Sequence, residues 1–471
     1  MCTPKLCGLI ILSALLALAG CGGSSSASFH QQPVTVSISN SPCLATSQPP
    51  CPIGVGANFQ YTATVTGTTN PTPTITWSLS PAGASSGTID QTGLYIAPNT
   101  PPSGPITIQA TLQGASQQGS TSVTVEANDP IGLVHSYTQY PGPQSCPTSS
   151  VNYGSNYGGQ GTCFQLAITC PGAGDLSAYL KVNTPPGTPT GTVLLGTGTG
   201  GSGLYDDPNA GGYEDGSSVV QSLLNNGYNT VQVSFGAPFD NGAQPHGWLT
   251  GPGGVRRLAC RYATVADWVY HNPTIINSSV TATTSKPMCA TGNSGGSAAI
   301  AYAVYEYGLA PEFTMIEPTS GPVMSRIDQG CSSSCASLPA SICPSSNNVA
   351  NMCYESGDAA VIDEAYQSSG ATTPMPCTDS LNGNPGPDAS ALFLSDSILY
   401  RGATSVSIPN LTIKQLFGDD DTSNAVPEGM IWNQYVSPTP LLQCLPNVQH
   451  DIPSFSTGAT QIANDIEAGC K

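Results

Sequence analysis

The sequence predicts a multidomain protein, in which an N-terminal all-β sandwich is followed by an α/β unit with a mainly parallel sheet and helices on both faces. Three observations predict it. Residues 33–127 carry short alternating apolar runs separated by turn residues, the pattern of half-buried strands. From about residue 128 strand-length apolar runs alternate with segments of helical period, the pattern of βαβ units. The first twenty residues hold a lysine and an apolar run that belong to export rather than to either fold.

Lys5 precedes an apolar run over 9–18, long enough for a signal-peptide core and too short to span a bilayer. The run ends in Leu18-Ala19-Gly20-Cys21, which resembles the bacterial lipobox. That resemblance implies cleavage before Cys21, lipidation of Cys21 and an extracytoplasmic, membrane-anchored chain. An ordinary secretory signal with an incidental cysteine is the alternative. A Gly/Ser-rich stretch follows, so residues 1–20 read as the signal peptide and 21–32 as a flexible tether.

Of the 17 cysteines, Cys2 and Cys7 leave with the signal and Cys21 carries the lipid, which leaves an even fourteen for disulfides. No Cys-x-x-Cys pair is present, and Cys331 and Cys335 have no histidine nearby, so neither zinc nor any other metal is expected. Charged residues make up 8% of the chain, 28 acidic against 10 basic, with no Lys/Arg cluster to follow a phosphate backbone. No nucleic-acid partner is expected.

In the first unit, strands are expected at 34–38, 59–65, 74–77, 106–110 and 122–125. The stretches ITWSL, GTID with GLYIAP, and TSVTVE resemble bacterial immunoglobulin-like domains. Cys43 and Cys51 are expected to pair, because no other cysteine lies between Cys21 and Cys146.

In the second unit, 128–471, strands are expected at 192–195, 230–234, 313–316 and 411–417. Helices are expected at 217–226, 255–270, 298–305, 428–435 and 457–468. Residues 320–405, rich in Ser, Pro and Gly and holding five cysteines, break the alternation. They read as an insertion with one helical piece near 358–367, which the cysteines in 331–377 are expected to staple over the functional face of this unit.

Gly-x-Ser-x-Gly occurs twice. Ser85 lies in a turn-rich segment with no strand entering and no helix leaving, so it reads as a turn serine. Ser294, in Gly292-Asn293-Ser294-Gly295-Gly296, stands between the apolar 288–290 and a compact helical run. There the glycines permit a sharp strand-to-helix bend, and the Gly295 N–H points at a developing oxyanion. A second donor is expected from the backbone of Thr197 or Gly198 in the glycine-rich loop 196–201. The same loop fits Gly-x-Gly-x-x-Gly, but about fifteen polar residues separate it from the next helix, unlike a dinucleotide site. No cofactor is expected.

A serine nucleophile needs a base. His30 is in the tether, His135 precedes the sheet, His246 lies in a glycine-rich loop and His271 ends a helix. Only His450 follows the last strand. The carboxylate is expected after the preceding strand, where Asp421 is preferred, with Asp420 and the more distant Glu317 as alternatives. A calcium loop on Asp419, Asp421 and Ser423 lacks its glycine and glutamate at the right positions.

The order Ser294, Asp421, His450 on alternating strands resembles the α/β-hydrolase superfamily over about 185–471. The resemblance implies a serine carboxylic ester hydrolase working through an acyl-enzyme. The rival reading is a non-catalytic surface adhesin that keeps the fold. The loop at 196–201 lacks the family's usual histidine, and the insertion before Asp421 is long. Export and the accessory domain point to an ester substrate of polymeric kind, such as a polyester or esterified polysaccharide. Trp248, Tyr205, Phe235 and Phe239 either line an apolar pocket or pack their own loops.

Overall fold

A computed structural model describes residues 34–44, 47–67, 74–140, 146, 149–285, 287–334, 343, 351–368, 371–401 and 406–471. The signal segment, Cys21, the tether and His30 lie outside the described residues.

Alternation shapes the first unit. Cys51–Gly54, Gln118–Glu126, Ile106–Leu112 and Ile75–Ser80 form a four-stranded sheet, and Asn58–Gln60, Leu94–Ile96 and Thr88–Ile89 a three-stranded one. Ile106, Ile108 and Ala110 are buried at every second position, against a core that includes Tyr61, Trp77 and Tyr95. The run expected as one strand over 59–65 is split. Tyr61 N–H bonds Gly93 O, Thr62 O accepts from Ser39 N–H, and the chain then enters Ala63–Thr66, paired with Thr35–Ile38. Cys43 is bonded to Cys51.

The second unit is built on nine strands. They are Leu133–Gln139 (β1), Thr162–Cys170 (β2), Gly174–Asn183 (β3), Gly191–Gly196 (β4), Tyr228–Ser234 (β5), Met288–Asn293 (β6), Met315–Thr319 (β7), Thr412–Gly418 (β8) and Leu441–Leu445 (β9). Their spatial order is β1-β2-β3-β5-β4-β6-β7-β8-β9, antiparallel as far as β5 and parallel beyond it. The first three strands were not resolved by the sequence reading, which assigned no element to 133–183.

The central parallel strands β4 to β7 are buried on both faces, whereas the edge strand β9 is largely exposed. Val193 and Leu195 face Gly216–Asn225 (α1) and the C-terminal helix, whereas Leu194 faces Cys260–His271 (α2) and Gly295–Tyr305 (α3). The helix expected over 255–270 is two pieces, Val255–Leu258 and α2, joined through Ala259, which stays right-handed helical. The helical piece expected near 358–367 is Ser356–Glu364 (α4), and the insertion adds Pro376–Leu381 and Ala389–Asp396 (α5). Ala425–Tyr435 (α6) and Ser456–Gly469 (α7) complete the unit. Cys331–Cys377 closes the insertion on itself, Cys343–Cys444 ties it to β9, and Cys289–Cys470 ties β6 to the end of α7.

The two units meet through buried charge. Arg256 is 2% exposed and donates to Asp129 at 2.6 Å, to Val55 O at 2.9 Å and to Glu306 at 2.9 Å, with its guanidinium over the Tyr400 ring. Burial pushes Glu306 up to about 8 despite the adjacent guanidinium. The Arg256 guanidinium is thus held between two buried carboxyl groups. Asn58 donates to Ser395 Oγ at 2.9 Å and to Asp396 Oδ1 at 2.5 Å, so the first unit also grips α5 of the insertion. We expect Arg256→Met to destabilise the protein by about 3–5 kcal/mol, because it strands Asp129 without its countercharge. Urea unfolding with disulfides intact checks this, and a loss under about 1 kcal/mol would contradict it.

Candidate active site

β6 ends at Asn293 and α3 starts at Gly295, leaving Ser294 alone to make the turn at φ 53° and ψ −117°. A β-carbon residue held at positive φ is strained by about 1–3 kcal/mol and persists only where its surroundings hold it. Here Ser294 N–H bonds Thr319 O at 2.9 Å, and Ser294 O accepts from the N–H groups of Ser297 and Ala298. Glycine is required alongside it. A Cβ at Gly295 would stand 1.7 Å from Thr199 O, and one at Gly292 would stand 2.7 Å from the Gly296 backbone. Ser85, by contrast, lies exposed in the short turn Ala84–Ser86.

The loop after β4 packs against this turn. Gly198 lies beside Ser294, with 3.6 Å between a Cβ built there and the Ser294 Cβ. Thr197 is 2% exposed and bonds Ser202 O through its hydroxyl. Thr199, at φ 51°, is the loop residue that lines the cleft with Ser294 and Gly295.

Across the cleft, His450 Nδ1 lies 3.1 Å from Asp421 Oδ2 and 2.8 Å from Ser423 Oγ. The Ser423 hydroxyl and N–H both donate to Asp421 Oδ1, at 2.7 and 2.9 Å. The hydroxyl's one proton is thus spent on Asp421, and its oxygen accepts from the ring. A carboxylate oxygen only accepts, so Nδ1 carries the proton and Nε2 is left as the basic nitrogen. Burial pushes the Asp421 carboxyl up, but the His450 bond and charge, with the Ser423 bonds, outweigh it and hold it below the usual range. Burial pulls His450 down, but Asp421, then Asp451 and Asp358, hold it above its ordinary value.

The other sequence-derived residues lie elsewhere. His135 meets Thr169, His246 meets Glu364 and His271 meets Asp267. Asp419 accepts from Asn447 N–H, and Asp420 N–H bonds Val448 O. Glu317 is fully buried, and its carboxyl faces Asp465 of α7, whose other oxygen holds Lys414. No donor reaches either Glu317 oxygen or Asp465 Oδ2. Burial, then the facing Asp465, raise Glu317 well above its ordinary value.

The cleft has a volume of about 290 Å³, near the lower end of ligand-pocket sizes. Its apolar wall is Val323, Met324, Tyr354, Val361 and Ile362, all from the insertion and none singled out in the sequence. Trp248, Tyr205 and Phe235 are buried in the core, and Phe239 stacks on Tyr179 at 4.7 Å. None of the four lines the cleft. Among the described residues one trio, Asp267, His271 and Glu312, brings metal-ligating atoms within 4.8 Å of one another, and none of it lines the cleft.

The mixed nine-stranded sheet, with helices on both faces and the serine turn at the end of β6, fits an α/β-hydrolase fold. No family model and no curated protein matches the chain. Solved structures do. Est1E from Butyrivibrio proteoclasticus is 11% identical, with 64% of this chain and 96% of that one covered at a TM-score of 0.35. The Pyrobaculum calidifontis esterase is 14% identical, covering 65% and 84%, also at 0.35. A thermostable esterase from Pseudomonas putida ECU1011 is 13% identical, covering 65% and 82%, at 0.36. Likeness at this level carries no weight of its own, so the fold assignment rests on strand order and the turn.

The Glu317–Asp465 pair generates a pH prediction. Glu317 holds its proton to a higher pH in the folded protein than in the unfolded one, where it is lost near 4.5. Its contribution is therefore full below that value and declines as pH rises toward the higher folded pKa, by up to about 1.4 kcal/mol per pH unit. We expect Glu317→Gln to lessen the fall in unfolding free energy between pH 5 and 8. Chemical denaturation across that range checks it, and parallel curves for the two proteins would contradict it.

Proposed function

We propose that this chain is an exported, lipid-anchored serine hydrolase that cleaves carboxylic esters. One observation carries the reading: the strained Ser294 turn shares a cleft with His450, whose far nitrogen is held by the fully buried Asp421. A buried carboxylate aimed at the second nitrogen of a cleft histidine is the arrangement that prepares an imidazole to take a proton.

In this reading His450 Nε2 takes the Ser294 hydroxyl proton as Oγ attacks the ester carbonyl. The carbonyl electron pair moves to oxygen, which is met by the Gly295 N–H and an N–H of the loop at 197–199. Asp421 and Ser423 hold Nδ1–H and stabilise the imidazolium. The tetrahedral intermediate collapses, and His450 returns its proton to the departing alkoxide, leaving Ser294 acylated. Water then attacks the acyl carbon with His450 as base, releasing the acid and restoring the serine. No cofactor enters these steps. The first unit is read as an immunoglobulin-like module that braces the insertion, and a polymeric ester is a substrate consistent with export.

Ser294→Ala is expected to abolish ester hydrolysis in a folded protein, whereas Ser85→Ala leaves it intact. Asp421→Asn is expected to cost about ten-thousand-fold in kcat, Asp420→Asn far less, and Ser423→Ala about three- to ten-fold. Because His450 is held above its ordinary 6.5, the rising limb of kcat/KM against pH is expected above that value. Steady-state kinetics on an ester panel check all of these, and an active Ser294→Ala protein would overturn the nucleophile. For the anchor, mass spectrometry of protein matured in a bacterial host is expected to find an acylated N-terminal Cys21, and an unmodified mature N-terminus would contradict it.

A further inference from the structure

The insertion supplies both the apolar wall of the cleft and a charge. Helix α4 presents Asp358, Val361 and Ile362 at i, i+3 and i+4, one face of a helix, and all three line the cleft. Among the described lining residues Asp358 is the single carboxylate, and none is lysine or arginine. No salt bridge among the described residues engages it. Its nearest side-chain donor is Asn424 Nδ2 at 3.5 Å, a long contact, and the neighbour that bears an opposite charge is His450 when protonated. It also accepts from the Glu355 backbone, the ordinary duty of an acidic residue in the first turn of a helix. That duty occupies acceptor capacity without neutralising charge.

Asp358 is solvent-exposed, and a carboxylate at the cleft repels anions and attracts cations. Tyr354 adds an aromatic side chain to the same wall, a surface compatible with an alkylammonium group. We propose that Asp358 gives this site a preference for esters carrying a cationic ammonium group over neutral and anionic ones. This rests on the hydrolase reading above, and it makes the insertion the part of the chain that selects substrate.

The test compares esters that differ only in charge. One pair places it in the alcohol, acetylcholine against 3,3-dimethylbutyl acetate. The other places it in the acyl chain, phenyl 4-trimethylammoniobutyrate against phenyl 5,5-dimethylhexanoate. The full chain is expected to show a kcat/KM ratio of about ten in favour of the cation in at least one pair. That ratio should fall to near one in Asp358→Asn, which keeps the helix-capping acceptor, and fall below one in Asp358→Lys. Ratios near one in both pairs for the unaltered protein, or a preference that survives Asp358→Asn, would overturn the inference. Labelling of Ser294 by a phosphonate separates the two levels. If Ser294 is labelled but the esters are poorly turned over, the same ratio is read from labelling rates of a cationic phosphonate and its neutral isostere. If Ser294 is neither labelled nor active, the hydrolase reading falls and this inference falls with it.

Discussion

Ser294 at positive φ is the constraint on which the site depends. The turn stays closed only because three glycines let the Gly292, Gly296 and Thr199 backbones approach where side chains would collide. Its N–H is taken by β7 through Thr319, and its carbonyl begins the hydrogen-bond ladder of α3. The strain of one residue is thus opposed by a buried strand and a buried helix, neither of which can move without disturbing the core. The same close packing brings the loop after β4 to the cleft and aligns its backbone with the helix N-terminus.

A second dependence runs from the N-terminal unit to the cleft through the insertion. Asn58 holds Ser395 and Asp396 at the end of α5, and Asp396 accepts from the Tyr366 hydroxyl at 2.6 Å and from Val255 N–H at 3.0 Å. Arg256, on the adjoining helix, ties Asp129, Val55 and Glu306 into the same buried region. The insertion so anchored carries α4, whose exposed face lines the cleft. An accessory β unit with no residue in the cleft can therefore govern how firmly the cleft wall stands.

What the sequence disclosed follows from how local each feature is. The turn at Ser294 was legible because its glycines are contiguous with the serine, and four of the parallel strands because their short apolar-rich runs stand between helical segments. His450 was reached by elimination among five histidines. Asp421 stands three residues past Gly418, a short-range cue. Ser423 was passed over, although its place two residues after the aspartate is the spacing at which a hydroxyl folds back on a carboxylate. The insertion was legible as a cover over the site, but the residues of the cleft wall were not. Val323, Tyr354 and Val361 are far apart in sequence and meet only because disulfides and the Arg256 region fold the insertion back on the sheet. The loop aromatics left both readings open because exposure cannot be read from residue type alone, and the structure buries most of them.

The central claim is that Ser294 is a nucleophile made basic-site-ready by His450 and its buried partner. The most direct measurement is intact and peptide mass spectrometry of the protein quenched during turnover of an activated ester. A stoichiometric acyl adduct is predicted on the peptide containing Ser294, formed more slowly below the His450 pKa and absent in Ser294→Ala. Turnover without an adduct, or an adduct on a different residue, would contradict the account.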